Sequence, residues 1–97
     1  MHYKLSLNAE ADLDRIFDFG IDTFGLNQAI KYKDQLQSRF EELAENPFLF
    51  PAIDDIREGY RRSVCGVHAI YYKANNDTVE IMRLINREDL KKALNLE

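Results

Sequence analysis

Residues 60–85 read YRRSVCGVHAIYYKANNDTVEIMRLI, and this stretch decides the fold. It contains three short runs rich in β-branched and aromatic residues, separated by Cys65-Gly66 and by Asn-Asn-Asp at 75–77. Such runs are typical of β-strands, and Gly and Asn suit tight turns because both tolerate positive φ. The stretch therefore predicts an antiparallel meander against which the rest of the chain packs.

The N-terminal residues predict a strand followed by a helix. Residues 3–7 alternate between apolar and polar side chains, which is the pattern of a half-buried strand. From residue 13 to residue 24 apolar side chains recur every three or four positions, after a predicted cap at Asn8. Gly25 is placed to end this helix. Gly20 lies within its apolar face, which predicts the close approach of a neighbouring element.

A second helix follows almost at once. Apolar side chains again recur at helical spacing from residue 29 to residue 44, after a predicted cap at Asn27. Asn46-Pro47 ends the helix because the residue before a proline avoids the α conformation. The short connection predicts that the two helices form an antiparallel hairpin.

The predicted architecture is α+β, with the N-terminal strand and the meander in a largely antiparallel four-stranded sheet and the hairpin packed on one face. Residues 48–53 are expected to form an extended connection, and residues 56–64 the next strand. Residues 86–89 lead into a short C-terminal helix that places Leu90, Ala93 and Leu94 on one side. The second face of the sheet is expected to be partly free and to carry Arg61, Ser63 and some of the tyrosines.

Size and charge favour a surface function. A chain of 97 residues predicts one domain, residues 1–97, with one core and little room for a deep active site. The formal net charge is -4, and residues 1–48 hold five basic and nine acidic side chains. This balance disfavours general binding of nucleic acids, which depends on neutralising phosphates.

Several classes of protein are disfavoured by missing motifs. Cys65 is the only cysteine, and the sequence has no Gly-rich phosphate loop and no cluster of metal ligands, so neither a metal nor a cofactor is expected. The N-terminus does not resemble a signal peptide, and no apolar run approaches the ~20 residues that span a bilayer. A soluble, cytoplasmic protein without membrane contact is expected.

Two side chains are open to both structural and functional interpretations. His68 has the chemistry of a general acid or base, although a strand histidine in a small domain is more often a hydrogen-bonded structural residue. Arg83 interrupts the apolar row of Val79, Ile81 and Ile85, so it needs a partner or a route to solvent. Either a salt bridge to an acid of the hairpin or the tail, or a contact with a target or a phosphate, satisfies that requirement.

The first helix also carries an acidic face. The acidic side chains are predicted to be solvated, with attraction of a basic partner segment as the alternative. They are Asp12, Asp14, Asp18 and Asp22.

Six segments, in order along nearly the whole chain, carry a family resemblance. They are the strand at residues 3–7, NAEADL at 8–13 with Ile16, the end of the second helix at Leu43 before Asn46-Pro47, YRR at 60–62, HAIYY at 68–72 and VEIMRLI at 79–85. With this order and spacing, the chain resembles the toxins of the RelE/ParE superfamily of type II toxin–antitoxin modules, and the ParE branch in particular.

The two branches of the superfamily differ in function. RelE-like members are ribonucleases that cleave messenger RNA on the ribosome, with basic residues on the sheet and often a Tyr or His near the C-terminus. ParE-like members inhibit DNA gyrase and have no established catalytic residues. In this chain no Tyr or His follows Tyr72, Ser63 stands where a further base would suit RNA, and His68 stands where the ribonucleases tend to have Arg. Asn86 stands where ParE members often have His.

The resemblance therefore implies a non-catalytic gyrase inhibitor, neutralised by a ParD-like antitoxin whose C-terminal segment folds onto the hairpin and along the sheet edge. The predicted target-binding residues are Arg61, Arg83, Asn86 and Arg87. The predicted antitoxin-binding residues are Phe17, Ile21, Tyr32, Leu36 and Tyr60.

Two alternatives remain open at this point. One is a RelE-like ribosome-dependent endoribonuclease with Arg61, His68 and Arg83 near the scissile phosphate. The other is a homologue that has lost its toxicity and only binds the antitoxin.

Overall fold

The computed structural model describes residues 2–75 and 77–89 and shows a helical hairpin packed on a four-stranded sheet. The sheet order is β1-β4-β3-β2, with β1 parallel to β4 and the other neighbours antiparallel. This arrangement confirms the predicted α+β class, while the predicted helix after residue 89 lies outside the described residues. The elements are β1 (His2–Leu5), α1 (Leu7–Phe24), α2 (Leu26–Glu45), β2 (Arg61–Cys65), β3 (His68–Ala74) and β4 (Thr78–Asn86).

The meander is confirmed, but its first strand begins later than predicted. β2 starts at Arg61, whereas the sequence predicted a strand from residue 56. Residues 53–59 instead form turns, because the amides of Ile56 and Arg57 both donate to the carbonyl of Ile53 at 2.8 Å. The apolar residues of this segment did not indicate that its backbone groups form local hydrogen bonds.

Ser6, rather than Asn8, caps α1. Its hydroxyl accepts a hydrogen bond from the amide of Ala9 at 3.0 Å and donates to the carbonyl of Met82 at 2.9 Å. The predicted strand at residues 3–7 was therefore too long, since β1 ends at Leu5. A serine side chain that bonds both the first helical turn and β4 fixes the point at which strand becomes helix.

The two helices are joined by Gly25 alone. Its φ of 91° reverses the chain, so α2 begins at Leu26 and the predicted cap at Asn27 was wrong. The close approach predicted at Gly20 is confirmed, because a Cβ added there would lie 3.2 Å from the Cβ of Ala29. In the described ranges, neither helix is long and apolar enough to cross a bilayer.

The hairpin buries one face of the sheet. The N-terminal half of α1 and the C-terminal half of α2 supply the helical side of this core, and the hydroxyl of Tyr72 donates to the carbonyl of Pro47 at 3.0 Å. The C-terminal half of α1 and the N-terminal half of α2 contribute fewer buried residues. Buried members of this cluster include Ala9, Leu13, Leu36, Phe40, Leu43, Ile70, Tyr72, Val79, Ile81 and Leu84.

The second face of the sheet is partly covered, and the predicted place of Arg61 and Ser63 on it was wrong. Residues 51–60 fold over it, and a second core cluster forms there from Ile53, Tyr60, Ala69, Tyr71 and Ile85. Arg61 and Ser63 lie on the helical side, since they are four and two residues from Cys65 of the main core along β2 and side chains two apart share a face. Ser63 is fully buried and accepts a hydrogen bond from Arg39 Nη1 at 2.7 Å.

A β-bulge in β4 explains why the predicted apolar row was wrong. Tyr72 pairs with Ile81 but Tyr71 pairs with Arg83, which leaves Met82 as the extra residue. Beyond such a bulge the side chains change faces. Ile85 therefore lies in the second cluster, and not beside Ile81.

Asp12 accepts hydrogen bonds from the part of β4 that extends beyond the end of β1. Its Oδ2 accepts the amide of Leu84 at 2.9 Å and the Nε of Arg83 at 2.7 Å, and its Oδ1 accepts the Nη2 of Arg83 at 3.1 Å. Arg15 bonds to the same carboxylate from the solvent side. Asp12 is only 2% exposed, so its predicted place on a solvated face was wrong, whereas a salt bridge from Arg83 to an acid of the hairpin is confirmed.

Removal of the Asp12 carboxylate should strongly destabilise the fold. Asp12→Ala leaves the Arg83 charge and the Leu84 amide without their acceptor, and breaking a buried ion pair costs about 3–5 kcal/mol. The matched control Asp14→Ala removes an exposed carboxylate of the same helix and should change the free energy of unfolding by less than about 0.5 kcal/mol. Urea denaturation measures both values, and similar values for the two variants would contradict the role assigned to Asp12.

Candidate binding surface

An apolar groove lies beneath the tip of the hairpin. Its volume is about 340 Å³, and large apolar side chains at its rim are exposed to solvent. Phe19 is 65% exposed, Phe24 is 68% exposed, and Val67, from the β2–β3 turn, is 53% exposed. We call this feature the apolar groove, and its walls are Ile16, Phe19, Gly20 and Phe24 of α1, Gln28, Ala29 and Tyr32 of α2, and Val67 and His68.

Tyr32 supports the turn that forms one wall of the groove. Its hydroxyl oxygen accepts the amide of Val67 at 3.2 Å and lies 3.2 Å from the carbonyl oxygen of Cys65 and 2.6 Å from Nδ1 of His68. Gly66 permits this arrangement, because a Cβ there would lie 2.5 Å from the Tyr32 ring and its φ is 63°. The ring of Tyr32 therefore fixes the position of Val67.

The His68–Tyr32 pair is electrically neutral near pH 7. Burial lowers the pKa of His68, an effect that the negative charge of Asp12 partly offsets. Burial also raises the pKa of the Tyr32 hydroxyl, and the hydrogen bond from the amide of Val67, which lowers this pKa, offsets only part of the effect. A hydrogen bond of 2.6 Å joins the Tyr32 hydroxyl to Nδ1 of His68 in this pair. This geometry favours the structural interpretation of His68.

A second, more polar groove of about 260 Å³ adjoins the first. It contains the Asp12–Arg83 pair, in which the hydrogen bond that Arg83 donates to Asp12 raises the pKa of Arg83. The positive charge of Arg83 is therefore permanent, and it is paired with the Asp12 carboxylate, which Arg15 also contacts. We call this feature the polar groove; it shares Ile16, Phe19, Val67 and His68 with the apolar groove and adds Asp12, Arg15, Arg83, Leu84, Ile85, Asn86 and Asp89.

Three of the four predicted target-binding residues lie together at the end of β4. Asn86 and Arg87 are exposed, and the amide of Arg87 donates to the carbonyl of Val67 at 2.9 Å. Arg83 is next to them but is held by Asp12 and is 22% exposed. Arg61 is separate, because it pairs with Tyr72 at the far end of β2 and donates to the carbonyl of Phe50 at 2.7 Å.

The five predicted antitoxin-binding residues do not form one surface. Tyr32 lines the apolar groove, while Phe17 and Ile21 are half-buried on α1, and Phe17 lies 4.9 Å from Lys33 Nζ. Leu36 is fully buried in the main core and Tyr60 is 4% exposed in the second cluster. In the free chain these last two side chains are core residues, and their predicted contact with a partner is not supported by their burial.

Sequence reasoning missed Phe19, Phe24 and Val67 as surface residues of the groove. Phe19 lies outside the helical repeat of Leu13, Ile16 and Gly20, and Val67 lies in a turn. A large apolar side chain that falls off the core stripe of a helix is a signal for a binding surface. That signal was present in the sequence at Phe19.

The pKa of His68 predicts a loss of stability on acidification. Because the pKa in the folded chain lies below the ordinary value of 6.5, the unfolded chain binds the proton at the higher pH. The stability that His68 contributes is therefore fully present above pH 6.5 and is lost as the pH falls through the lowered pKa.

His68→Gln keeps a hydrogen-bonding side chain but removes the titration. Urea denaturation from about pH 7.5 to about pH 5.5 should show a smaller loss of stability in this variant than in the unaltered chain. Parallel pH curves for the two proteins would contradict the assignment.

Comparison with known proteins agrees with the fold and the sequence pattern. The family model described as ParE toxin of type II toxin-antitoxin system, parDE, matches residues 3–91. Toxin ParE1 of Caulobacter vibrioides is 36% identical over 85 residues, and Toxin ParE1 of Mycobacterium tuberculosis is 35% identical over 86 residues, each alignment covering 88% of both chains.

A solved structure has the same fold. The structure titled Chromosomal ParDE TA system from P. aeruginosa superposes with a TM-score of 0.79 at 20% identity, covering 91% of this chain and 97% of that chain. At this identity the superposition supports the fold alone, whereas the family match and the two toxins cover most of the sequence. The chain therefore belongs to the ParE toxin family of type II toxin–antitoxin systems.

Proposed function

We propose that this ParE-family toxin inhibits DNA gyrase by binding to it, acts in the cytoplasm, and is neutralised by a ParD-like antitoxin. The observation that carries the proposal is that its candidate phosphate-binding side chains form hydrogen bonds within the protein. In a chain of this family, the side chains that a ribonuclease would require are separated and already bonded within the protein.

The ribonuclease alternative needs Arg61, His68 and Arg83 to converge on one phosphate. Arg83 is paired with Asp12, and Nδ1 of His68 is bonded to Tyr32. Cys65 pairs with His68, and Arg61 lies four residues from Cys65 along β2. Arg61 is therefore roughly 13 Å from the position of His68, at ~3.3 Å per residue. Stabilisation of a reacting phosphate requires donors preorganised around one point, so this arrangement favours binding over catalysis.

The proposed contact with gyrase is the exposed end of β4. Asn86 and Arg87 present polar groups there, and the exposed side chains of Val67 and Phe19 adjoin them. A mixture of arginine and large apolar side chains is characteristic of the energetically important part of protein interfaces. Arg83 positions this region through Asp12, and Arg61 lies too far away to belong to the same patch.

The proposed contact with the antitoxin is the hairpin. Phe17, Ile21 and Tyr32 remain the proposed contact residues, because each keeps part of its side chain accessible. An antitoxin segment that folds on binding can cover such an extended surface.

The proposal predicts that the purified toxin inhibits supercoiling of relaxed plasmid by gyrase and traps cleaved DNA. Arg87→Glu should raise the toxin concentration for half-inhibition at least about tenfold, which corresponds to ~1.4 kcal/mol of binding free energy. The matched control Lys31→Glu reverses an exposed charge on α2 and should leave this concentration unchanged. Circular dichroism and antitoxin binding verify that both variants are folded.

Unimpaired supercoiling in the presence of a folded toxin that binds its antitoxin would overturn the gyrase assignment. Transcript cleavage in a translation extract would then support the RelE-like alternative. Arg83→Ala is a poor probe of target contact, because it also leaves the buried Asp12 carboxylate without its main partner.

A further inference from the structure

We propose that the polar groove is a binding site for a carboxylate, and that Arg15, Arg83 and Asn86 hold this group. The inference rests on the proposed function and deepens it, because the carboxylate belongs to an aspartate or glutamate side chain of the gyrase target. It gives Arg15 a role in contact with the target and gives the surface at the end of β4 a specific ligand chemistry.

The carboxylate of Asp12 is already engaged by donors of this chain. Asp12 is 2% exposed, and its two oxygens accept hydrogen bonds from Arg83, from Arg15 and from the amide of Leu84. Two guanidinium groups therefore meet at one buried carboxylate, and one positive charge is in excess at this point. A second carboxylate that contacts both guanidinium groups would balance that charge through charge-assisted hydrogen bonds.

Asp12 fixes the guanidinium of Arg83 but leaves part of it free. Nε and Nη2 donate to Asp12 at 2.7 and 3.1 Å, whereas Nη1 has no hydrogen-bond partner among the described residues. No buried side-chain nitrogen or oxygen in these ranges lacks a partner, so Nη1 is accessible to solvent. Because the guanidinium plane is already held, Nη1 is a preorganised donor that loses little conformational freedom when it binds an acceptor.

Asn86 presents its donor end to the polar groove. Its Oδ1 accepts the amide of Glu88 at 3.0 Å, which leaves Nδ2 without a hydrogen-bond partner in the part of the chain that the structure describes. A side-chain amide whose oxygen is occupied donates to a ligand through its nitrogen. Asn86 lines the same groove as Arg15 and Arg83, so donors from three side chains border one space of about 260 Å³.

The charges around the polar groove favour a carboxylate over a phosphate monoester. The charged side chains that line it are Arg15, Arg83, Asp12 and Asp89, with a formal sum of zero, and His68 is neutral near pH 7. A carboxylate adds one negative charge, whereas a phosphate monoester adds nearly two and is repelled more strongly by Asp89. The planar fork of a guanidinium also matches the two oxygens of a carboxylate.

The apolar wall of the polar groove favours a protein side chain as the source of the carboxylate. Ile16, Phe19 and Val67 form this wall, and Phe19 and Val67 are 65% and 53% exposed. Such a wall packs against the methylene groups of an aspartate or glutamate and against apolar neighbours in the partner. A nucleic acid is disfavoured by the net charge of -4. This surface adjoins the proposed gyrase contact, so an acidic side chain of gyrase is the assigned ligand.

The first test uses sodium acetate as the probe and the full-length toxin alone. Heteronuclear NMR near pH 7 follows the side-chain nitrogens of Asn86, Arg15 and Arg83 while sodium chloride is exchanged for acetate at constant ionic strength. We expect shifts that saturate with acetate and that chloride does not produce.

Two variants with matched controls test the donors. Arg15→Gln and Asn86→Asp should each raise the Kd for acetate at least about threefold, and Asn86→Asp retains the oxygen that accepts the amide of Glu88. The controls Lys31→Gln and Asn75→Asp make equivalent changes of charge at exposed positions outside both grooves and should leave this Kd unchanged. Circular dichroism verifies that all four variants are folded.

Asp89→Asn provides a test of opposite sign. Asp89 lines the polar groove, and removal of its negative charge should lower the Kd for acetate about twofold or more because like charges repel. A variant that only disturbed the site would raise this Kd. An unchanged or higher Kd would contradict the charge balance assigned to the groove.

The source of the carboxylate is tested by the supercoiling assay. Arg15→Gln and Asn86→Asp should each raise the toxin concentration for half-inhibition of gyrase at least about fivefold, as for side chains within an interface. Lys31→Gln and Asn75→Asp should leave this concentration unchanged. Gyrase inhibition that is indifferent to Arg15→Gln and Asn86→Asp would overturn the assignment of the ligand to gyrase.

The remaining outcomes separate this inference from the proposed function. Saturable acetate binding that depends on Arg15 and Asn86, together with unimpaired gyrase, supports the carboxylate site and rejects the target. Shifts that do not saturate, or that chloride reproduces, overturn the site and leave gyrase inhibition to its own assay. Inorganic phosphate that binds at least about tenfold more tightly than acetate assigns the groove to phosphate and also overturns the proposal.

Discussion

The buried carboxylate of Asp12 joins the helical hairpin to the sheet, and the candidate binding surface depends on this junction. It bonds the amide of Leu84 where β4 has lost its neighbour β1, and it holds the guanidinium of Arg83 at the same place. α1 is thereby fixed along the edge of β4. This position sets Phe19 opposite Val67 and so creates both grooves.

The basic side chains of the sheet near this junction also form hydrogen bonds within the protein. Arg83 is charged and paired with Asp12, His68 is bonded to Tyr32, and Arg61 donates to the carbonyl of Phe50. These side chains are bonded within the protein, whereas Asn86 and Arg87 are exposed. This arrangement supports the proposal that the toxin acts through a binding surface.

The two grooves give that surface two regions of different character. One is apolar and is bordered by the negatively charged hairpin, and the other is polar and lies at the end of β4. The shared wall at Phe19, Val67 and His68 makes them neighbours rather than separate sites. Tyr32 maintains this wall through its bonds to the β2–β3 turn, so one tyrosine hydroxyl supports both regions.

The sequence by itself determined the meander, the two helices, the α+β class and the family resemblance, because strand and helix periodicity and turn residues act over short distances along the chain. It was less successful where a distant partner decides the outcome. Asp12 looked like one of four solvated acids until the fold placed Arg83 beside it, 71 residues away in sequence. The cap at Ser6 depends on Met82, and the change of face at Ile85 depends on a bulge opposite Tyr71 and Tyr72. Only the tertiary structure decided which charges are buried and which apolar side chains remain exposed, since burial is a property of packed elements and not of local sequence.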